Sequence, residues 1–531
     1  MKKFSWFFYL SIIFLFSACE LFNLLPADDS KLVTTLVTLK DNEKGNVYLT
    51  KLNTGKNIVN GNKTGWVSHT SPRSAEEDYY STDYFMQELN RKAGLALCDS
   101  AARSAGGDRA VANGYSPRSF KDNDNFYSFT GETNKVGIQG FLDASLKYNG
   151  SHCLVYADNN NTIFNLSDND YKNLGQLFDR CYEKEVEVLG SPCYEQYNSN
   201  FYVACNKKII ILVSDLYGDG EGQTTPSGTV GYFYQGDLFR DDFLYKKQKT
   251  HSNQCEIFYI DALFLEKRPG LAYSTLVHEF NHMINYVVKT LTKMNDYTYI
   301  NSKFICDTWF TEMLSMTTED MFQAFLGIED KDSPKSRIPA FGAGYNYGFK
   351  NWDKLANNQE TVDFIYANTY AFGAFLARNF GGVELISEIA KNDYINEKAI
   401  TEALKKYNPD IKEIDFYYAL RKFTLCVINT EQDPQNGKPY YSLNKSAGNA
   451  SYNSLGFKKI DIRSTITVDN KTYNIPFIYK TGFDETGKIK YDQEIDIYPY
   501  GFSTHFVGTN ITSFTLTTYS DNGLEYFYNV K

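Results

Sequence analysis

The sequence predicts an α+β protein, in which a mixed α/β half precedes a helical half and small β regions flank the two. Three observations predict this fold class. From about residue 135, short runs rich in Val, Ile and Tyr alternate with amphipathic stretches, and from Pro269 to about Val427 apolar residues recur mainly at helical spacing. Towards both ends of the chain, short alternating runs are separated by Asn, Gly and Asp turns. The two halves packed together would leave a cleft between them.

Length and charge limit the organisation of the chain and its partners. At roughly 150 residues per domain, 531 residues suffice for three or four folding units. The formal net charge of −10 is spread without long runs of one sign. Because binding to phosphates needs a basic surface, we expect no nucleic-acid partner. We expect a tether and a small β-rich region over residues 19–134, the mixed and helical halves over 135–430, and a C-terminal β domain over 431–531.

The first residues have the composition of an export signal. Lys2-Lys3 precede the apolar run Phe4–Phe16, and the small pair Ser17-Ala18 precedes Cys19. A run of 13 residues is too short for a span of roughly 20 residues, which favours a signal peptide over residues 1–18. A cysteine directly after small residues resembles the bacterial lipobox, which implies lipidation of Cys19, palmitate included, and a membrane anchor in the cell envelope, facing outside the cytoplasm. A plain signal peptide followed by an incidental cysteine is the alternative.

The other cysteines suit an exported protein better than a thiolate metal site. None forms a C-x-x-C pair, which disfavours a zinc site built from cysteines. Their even number permits four disulfides, but the sequence does not choose among the pairings. They are Cys98, Cys153, Cys181, Cys193, Cys205, Cys255, Cys306 and Cys426.

The elements of the two halves follow from the spacing of apolar residues. The mixed half is predicted to contain the strands Cys153–Ala157, Ile209–Val213, Val230–Tyr234 and Ile257–Ile260, and the helix Ser167–Leu189. A long helix, Pro269–Thr290, follows, with proline in its first turn, where the missing N–H costs nothing. The helical half continues with Asp307–Phe325, Val362–Phe380, Val383–Lys391, Glu397–Tyr407 and Ile411–Ile428. One further helical patch is expected near residues 83–96.

A metal-binding pattern lies inside the long helix. The sequence His278-Glu279-Phe280-Asn281-His282 matches H-E-x-x-H. At about 100° per residue, the two histidines sit about 40° apart on one helix face, a spacing that lets two imidazoles bind one ion. Apolar residues such as Phe280 and Met283 lie on the opposite side and can pack into the core. We therefore predict a metal site on the cleft wall; two surface or hydrogen-bonded core histidines are the alternative.

A catalytic zinc ion needs a third protein ligand and an open position for water. The best candidate is Glu312, which shares a predicted helix face with Trp309 and Met316. A buried carboxylate among apolar side chains needs a strong partner, and zinc is one. Glu319 and Asp320 remain alternatives, and so does a salt bridge of Glu312 to a basic residue.

These motifs together resemble a known family. His278-Glu-x-x-His282-Met-Ile-Asn, followed by Trp309-x-x-Glu312-x-x-Ser, resembles the glutamate-zincins, most closely the hyicolysin family of bacterial metallopeptidases, over about residues 153–427. The resemblance implies a zincin-like fold, with His278, His282 and Glu312 as zinc ligands and Glu279 as general base. The chain departs from the pattern at Met313, where related sequences often have Gly, and in the 29 residues between His282 and Glu312.

The resemblance also suggests how the oxyanion of the reaction is stabilised. Tyr370-Ala-Phe-Gly373 resembles the Tyr-x-x-Gly element of related aminopeptidases, in which a tyrosine hydroxyl donates to the oxyanion. Tyr370 is therefore the expected donor, with Tyr366 as the alternative.

The predicted function is zinc-dependent hydrolysis of proteins or peptides by a lipid-anchored endopeptidase outside the cytoplasm. An aminopeptidase is disfavoured because the Gly-x-Met-Glu-Asn element that holds the free amine in those enzymes is absent from the sequence. The alternative class is a surface lipoprotein, such as an adhesin, on a metallopeptidase scaffold with weak catalysis.

Overall fold

The computed structural model describes residues 21–23, 32–39, 46–59, 117–129, 139–161, 164–193, 202–203, 205–216, 226, 228–293, 302–352, 359–430, 440–448, 452, 454–462, 465–468, 471–474, 479–483, 489–491, 496–509, 513–519 and 524–531. The chain forms two compact units. The terminal unit comprises Met1–His69, Tyr345–Lys350 and Phe477–Lys531, and the main unit comprises Thr70–Gly344 and Asn351–Pro476.

Strands occur mainly towards the two ends and in the first half of the main unit. They are β1 (Leu21–Asn23), β2 (Leu32–Thr38), β3 (Asn46–Asn53), β4 (Asn123–Ser128), β5 (Gly140–Asn149), β6 (Cys153–Asp158), β7 (Ile209–Ser214), β8 (Gly231–Phe233), β9 (Ile257–Asp261), β10 (Thr465–Val468), β11 (Lys471–Asn474), β12 (Tyr479–Phe483), β13 (Ile489–Tyr491), β14 (Phe502–Thr509), β15 (Ser513–Tyr519) and β16 (Leu524–Val530).

Helices make up most of the second half of the main unit, as far as its residues are described. They are α1 (Asp168–Leu189), α2 (Asp241–Gln248), α3 (Ala262–Lys267), α4 (Pro269–Asn285), α5 (Thr308–Leu326), α6 (Ile338–Gly344), α7 (Gln359–Phe380), α8 (Gly382–Lys391), α9 (Asn396–Tyr407) and α10 (Phe416–Phe423). The predicted α+β class, with a mixed half followed by a helical half, is confirmed.

The terminal unit joins both ends of the chain in one sheet. Its strands have the order β1-β16-β3-β14-β12-β13, and β2 pairs separately with β15. Strand β3 pairs antiparallel with both β14 and β16. Val47 and Leu49 of β3 pack with Tyr526 and Tyr528 of β16 in a small apolar core. The domain boundaries expected near residues 134 and 430 stay predictions. However, strands that precede residue 134 and strands that follow residue 430 lie together in this one sheet.

The main unit is built on a second sheet, with the strand order β4-β5-β6-β7-β9-β8. Strands β6, β7 and β9 are parallel, and the short β8 runs antiparallel to β9 at the edge. Strand β4 lies within residues 19–134, yet it pairs with β5 in this sheet. Every residue of β7 is buried, as is typical of a parallel strand covered on both faces.

Helix α4 lies at the centre of the main unit. It packs against β8, β9, α1 and α5. Phe280 of α4 contacts Phe178 of α1, with ring centroids 5.0 Å apart, so the apolar face expected for this helix is the one turned to the core. After Asn285 the helix widens into a π-helical turn, Tyr286–Thr290. The predicted end at Thr290 therefore coincides with the end of this turn.

Two helix boundaries follow from capping residues. Helix α1 begins after Ser167, whose backbone N–H donates to the Asp170 carboxylate at 2.8 Å. The last predicted helix, Ile411–Ile428, begins late because the Asp415 side chain caps α10 by accepting from the Tyr418 N–H. It then continues as a 3₁₀ turn, Thr424–Val427.

Several sequence predictions fall on other parts of the chain. The signal peptide, Cys19, Cys98 and the helical patch near residues 83–96 lie outside the described residues. Among the described helices, none is both long and apolar enough to cross a membrane. Among the described cysteines, Cys193 and Cys205 form a disulfide, and the others keep free thiols: Cys153, Cys181, Cys255, Cys306 and Cys426.

Candidate metal centre

The structure brings the three predicted ligands together between α4 and α5. His278 and His282 are one turn apart on α4, and Glu312 lies in the second turn of α5. The two Nε2 atoms are 3.0 Å apart. The Oε1 atom of Glu312 lies 3.0 Å from His282 Nε2, and its Oε2 atom lies 3.5 Å from His278 Nε2.

Helix α5 presents Glu312 because its first turn is anchored in the core. The helix begins after Asp307, whose carboxylate accepts a hydrogen bond from the Trp309 indole N–H at 3.2 Å. Trp309 and Phe310 are buried. Glu312 follows one turn after Trp309 and is completely buried, as its predicted position on the apolar face of the helix requires.

The arrangement fits a zinc ion. Ligand atoms about 2.0–2.1 Å from a tetrahedral zinc lie about 3.4 Å from one another, and the three contacts here measure 3.0, 3.0 and 3.5 Å. No hydrogen bond from the described residues reaches either oxygen of Glu312. A buried carboxylate in that situation needs a cation, and two imidazoles and a carboxylate are a donor set that zinc prefers.

The charges at the centre favour an ionised carboxylate. Burial alone would raise the pKa of Glu312, but the neighbouring rings of His282 and His278 hold its pKa below the ordinary value. Burial alone would lower the pKa of His278, but the carboxylates of Glu312 and Glu319 raise it well above the ordinary value. Both shifts come from the attraction between the carboxylates and the imidazole rings, and a divalent cation bound here would take the place of the imidazolium charge.

Glu319, an alternative third ligand in the sequence analysis, contacts the back of the His278 ring and is not part of the three-ligand group. Its Oε1 atom lies 2.7 Å from His278 Nδ1, the ring nitrogen that faces away from the three-ligand group. Its Oε2 atom accepts a hydrogen bond from Ser274 Oγ at 2.6 Å. Glu319 thus orients the His278 ring and leaves Nε2 for the metal, the arrangement found behind many metal-binding histidines.

A neutral hydroxyl plays the corresponding part for His282. Ser315 Oγ lies 3.2 Å from His282 Nδ1 and donates to Asn281 Oδ1 at 2.9 Å. Glu312, Ser315 and Glu319 therefore share one face of α5, at positions i, i+3 and i+7. Sequence reasoning gave Ser315 and Asn281 no role, although Ser315 is the last residue of the Trp309-x-x-Glu312-x-x-Ser motif and Asn281 lies inside H-E-x-x-H.

Glu279, the predicted general base, follows His278 on α4 and is 2% exposed. Its position one residue further along the helix turns it about 100° away from His278. It is therefore adjacent to a proposed ligand in the chain, whereas the ligand atoms that converge belong to His278, His282 and Glu312.

Tyr370, the expected oxyanion donor, lies on α7 and has a hydrogen-bond partner outside the three-ligand group. Its hydroxyl donates to Asp320 Oδ2 at 3.1 Å, and Asp320 pairs with Arg378 at 2.7 Å. All three side chains are buried. Burial and the Asp320 carboxylate raise the pKa of Tyr370 well above its ordinary value. The alternative, Tyr366, is also buried.

The ring of Tyr366 packs edge-on against Trp352, 4.8 Å between centroids, and the Arg337 guanidinium lies over it at 4.7 Å. Asp320, the other alternative ligand, is engaged by Arg378. Each of these three side chains thus has a partner that is not one of the three proposed ligands.

Comparison with known proteins relates the chain to a peptidase family and to a bacterial metalloprotease. The model of the family described as Peptidase M30 matches residues 159–432, a segment that contains His278, Glu279, His282 and Glu312. The neutral metalloprotease ShpI of Staphylococcus hyicus is 28% identical to this chain over 292 residues. That alignment covers 53% of this chain and 58% of the relative, so the similarity spans a little over half the length of each.

Proposed function

This chain belongs to the peptidase M30 family, and from that premise we propose that it is a zinc-dependent endopeptidase that acts outside the cytoplasm. Family membership confirms the predicted class, a metallopeptidase. The observation that carries the proposal is the convergence of His278, His282 and Glu312 within 4.8 Å of one another, with Glu279 beside them on α4. The similarity to a neutral metalloprotease supports protein or peptide substrates.

The chain's own residues have distinct parts in this proposal. A zinc ion held by His278, His282 and Glu312 would polarise the scissile carbonyl and lower the pKa of a bound water. The carboxylate of Glu279 would accept a proton from the attacking water and pass it to the leaving amine. Glu319 and Ser315 would keep the two imidazole rings in place.

Two further observations support endopeptidase action over the alternatives. The sequence lacks the element with which related aminopeptidases hold a free amine. The ligand set and the base are complete, whereas a binding protein that had lost catalysis would not need Glu279. A surface lipoprotein with weak catalysis is therefore the less favoured function.

The replacement Glu279→Gln tests the proposal. The amide keeps the shape of the side chain but cannot accept the proton, so peptidase activity should fall by a factor of roughly 10² to 10⁴, with zinc content near one per chain. Activity is measured on casein and on a quenched peptide, with and without a chelator.

The matched control is Glu329→Gln, the same replacement at a side chain that is 71% exposed, and it should leave activity unchanged. Glu279→Gln protein that holds zinc and retains wild-type activity would reject Glu279 as the base. Wild-type activity that survives complete removal of the metal would reject the metallopeptidase mechanism.

A further inference from the structure

We propose that Ser315, Asn281 and Thr318 form a directed hydrogen-bond relay that fixes the orientation and tautomer of His282 for metal binding. The inference rests on the proposed function, because it assigns His282 to a metal. The three residues are positioning residues, since each acts through the His282 ring.

The relay runs from the imidazole into the backbone of α5. Ser315 Oγ lies 3.2 Å from His282 Nδ1 and 2.9 Å from Asn281 Oδ1. The Asn281 amide nitrogen lies 3.3 Å from Thr318 Oγ1. Thr318 Oγ1 donates to the Leu314 carbonyl at 2.8 Å, which ends the chain of contacts.

The direction of every bond follows from the carbonyl end. The Leu314 carbonyl can only accept, so the single hydroxyl proton of Thr318 is used there. The Thr318 oxygen can then accept from Asn281, which places the amide NH₂ group towards Thr318 and the amide oxygen towards Ser315. In the reverse orientation the Asn281 amide oxygen would face the Thr318 oxygen, and no proton would lie between the two atoms.

The same argument fixes the protonation of the ring. Ser315 has one proton, which goes to Asn281 Oδ1, so it can only accept from His282. Nδ1 of His282 must therefore carry the proton, and the lone pair of the neutral ring lies on Nε2. Nε2 is the atom that lies 3.0 Å from Glu312 Oε1, on the side where the ligand atoms converge.

Because the relay is buried, each of its hydrogen bonds is costly to lose. Asn281 is 1% exposed, and Ser315 and Thr318 are fully buried. A buried polar group that loses its partner has little chance of replacing it with solvent. The two histidines are thus held differently: His278 by the charged Glu319, and His282 by a neutral relay.

The relay also joins α4 to α5, so the test must distinguish the positioning of His282 from a merely structural role. Ser315→Ala separates the two roles. It removes the acceptor for Nδ1–H and leaves the helix backbone unchanged. The matched control is Thr317→Val, because Thr317 is equally buried on α5 but its hydroxyl donates to the Met313 carbonyl and to no ligand.

The experiment measures zinc affinity by competition with a chelator, the visible spectrum of the cobalt-substituted protein, and the tautomer of His282 by ¹⁵N NMR of the zinc-loaded protein. Ser315→Ala should weaken zinc binding about 10- to 100-fold, change the cobalt spectrum and speed the exchange of the Nδ1 proton with solvent. Thr317→Val should change none of the three.

A second variant keeps the test decisive if Ser315→Ala does not fold. Thr318→Val is nearly isosteric and removes the donor that sets the direction of the relay, so it should weaken zinc binding by a smaller factor. Folded Ser315→Ala or Thr318→Val protein with wild-type zinc affinity and an unchanged His282 tautomer would reject the relay. Wild-type protein that binds no zinc would instead reject the metal centre itself.

Discussion

Glu312 and Glu319 lie almost two turns apart on one face of α5 and approach the same imidazole from its two nitrogens. Glu312 faces Nε2 of His278, and Glu319 faces Nδ1. Both carboxylates are buried, yet they have different tasks. The first can bind a metal together with His282, and the second can only hold the ring, because its oxygens are taken up by His278 and Ser274.

This difference predicts opposite outcomes for zinc content. Glu312→Ala should lose zinc, because two histidines alone hold the ion in an underdetermined geometry. Glu319→Gln keeps an acceptor for Nδ1–H and loses only the charge. It should keep zinc near one per chain when zinc is saturating, with affinity lowered about 10- to 100-fold. Metal analysis of both purified variants checks this, and zinc lost from Glu319→Gln but kept in Glu312→Ala would exchange their assignments.

At the residue scale, the sequence predicts ligands better than it predicts their partners. His278 and His282 are readable from one helix, because their spacing needs only helical geometry. Glu312 needs the apolar character of its surroundings as well. The tasks of Glu319 and Ser315 depend on which imidazole nitrogen each side chain meets, and this is set by how α4 crosses α5. No local pattern contains that crossing.

Helices α5 and α7 are joined at the element scale by a buried ion pair. Arg378 of α7 approaches Asp320 of α5 within 2.7 Å and also donates to the Lys458 carbonyl. Tyr370, two turns before Arg378, donates its hydroxyl to the same carboxylate. Removing one partner of a buried ion pair strongly destabilises the folded protein, because the other charge is left buried without a partner. These three side chains therefore constrain how α5 packs on α7.

Tyr370→Phe tests whether this tyrosine is structural or assists the oxyanion. As a partner of Asp320, it should lower the free energy of unfolding by about 1.5–3 kcal/mol, the range for a hydrogen bond to a charged group, and leave kcat close to wild type. As an oxyanion donor, its loss would cost about 10² to 10³ in kcat. Denaturant unfolding and kcat measured on the same preparation decide between the two. A large fall in kcat with an unchanged free energy of unfolding would instead show that Tyr370 assists the oxyanion.

Element boundaries were predictable where local chemistry sets them. Ser167 and Pro269 mark the starts of α1 and α4 as expected from their types. The π-helical turn after Asn285 was not predicted, because apolar spacing over five residues hardly distinguishes π from α geometry. The late start of α10 follows from Asp415, a capping residue that the longer apolar pattern concealed.

At the scale of the whole molecule, the pairing of the two chain ends has no local signature. Strand β3 pairs with β16, so that Val47 lies opposite Val530, and the sequence shows only that both segments alternate as strands do. Register over such a separation is set by which apolar faces meet in the core. The prediction of β regions at both ends was therefore possible, but their union in one sheet was not.

The expected lipid anchor makes a prediction at this same scale. Strand β1 begins at Leu21, two residues after Cys19, and Leu21 lies opposite Phe527 of β16 in the sheet of the terminal unit. If Cys19 carries lipid, the terminal unit is held close to the membrane surface, because two residues span at most about 7 Å.

Cys19→Ser should release the protein from membranes and abolish incorporation of labelled palmitate, because buried acyl chains contribute about 0.8 kcal/mol for each CH₂ group and no described helix is suited to span the bilayer. Ser17→Ala is the matched control: it keeps a small residue before the cysteine and should leave both labelling and fractionation unchanged. Mass spectrometry of the N-terminus shows whether the signal peptide has been removed from each variant. A Cys19→Ser protein that is cleaved and yet stays with membranes after a salt wash would show that another part of the chain holds it there, and wild-type protein without label would reject lipidation at Cys19.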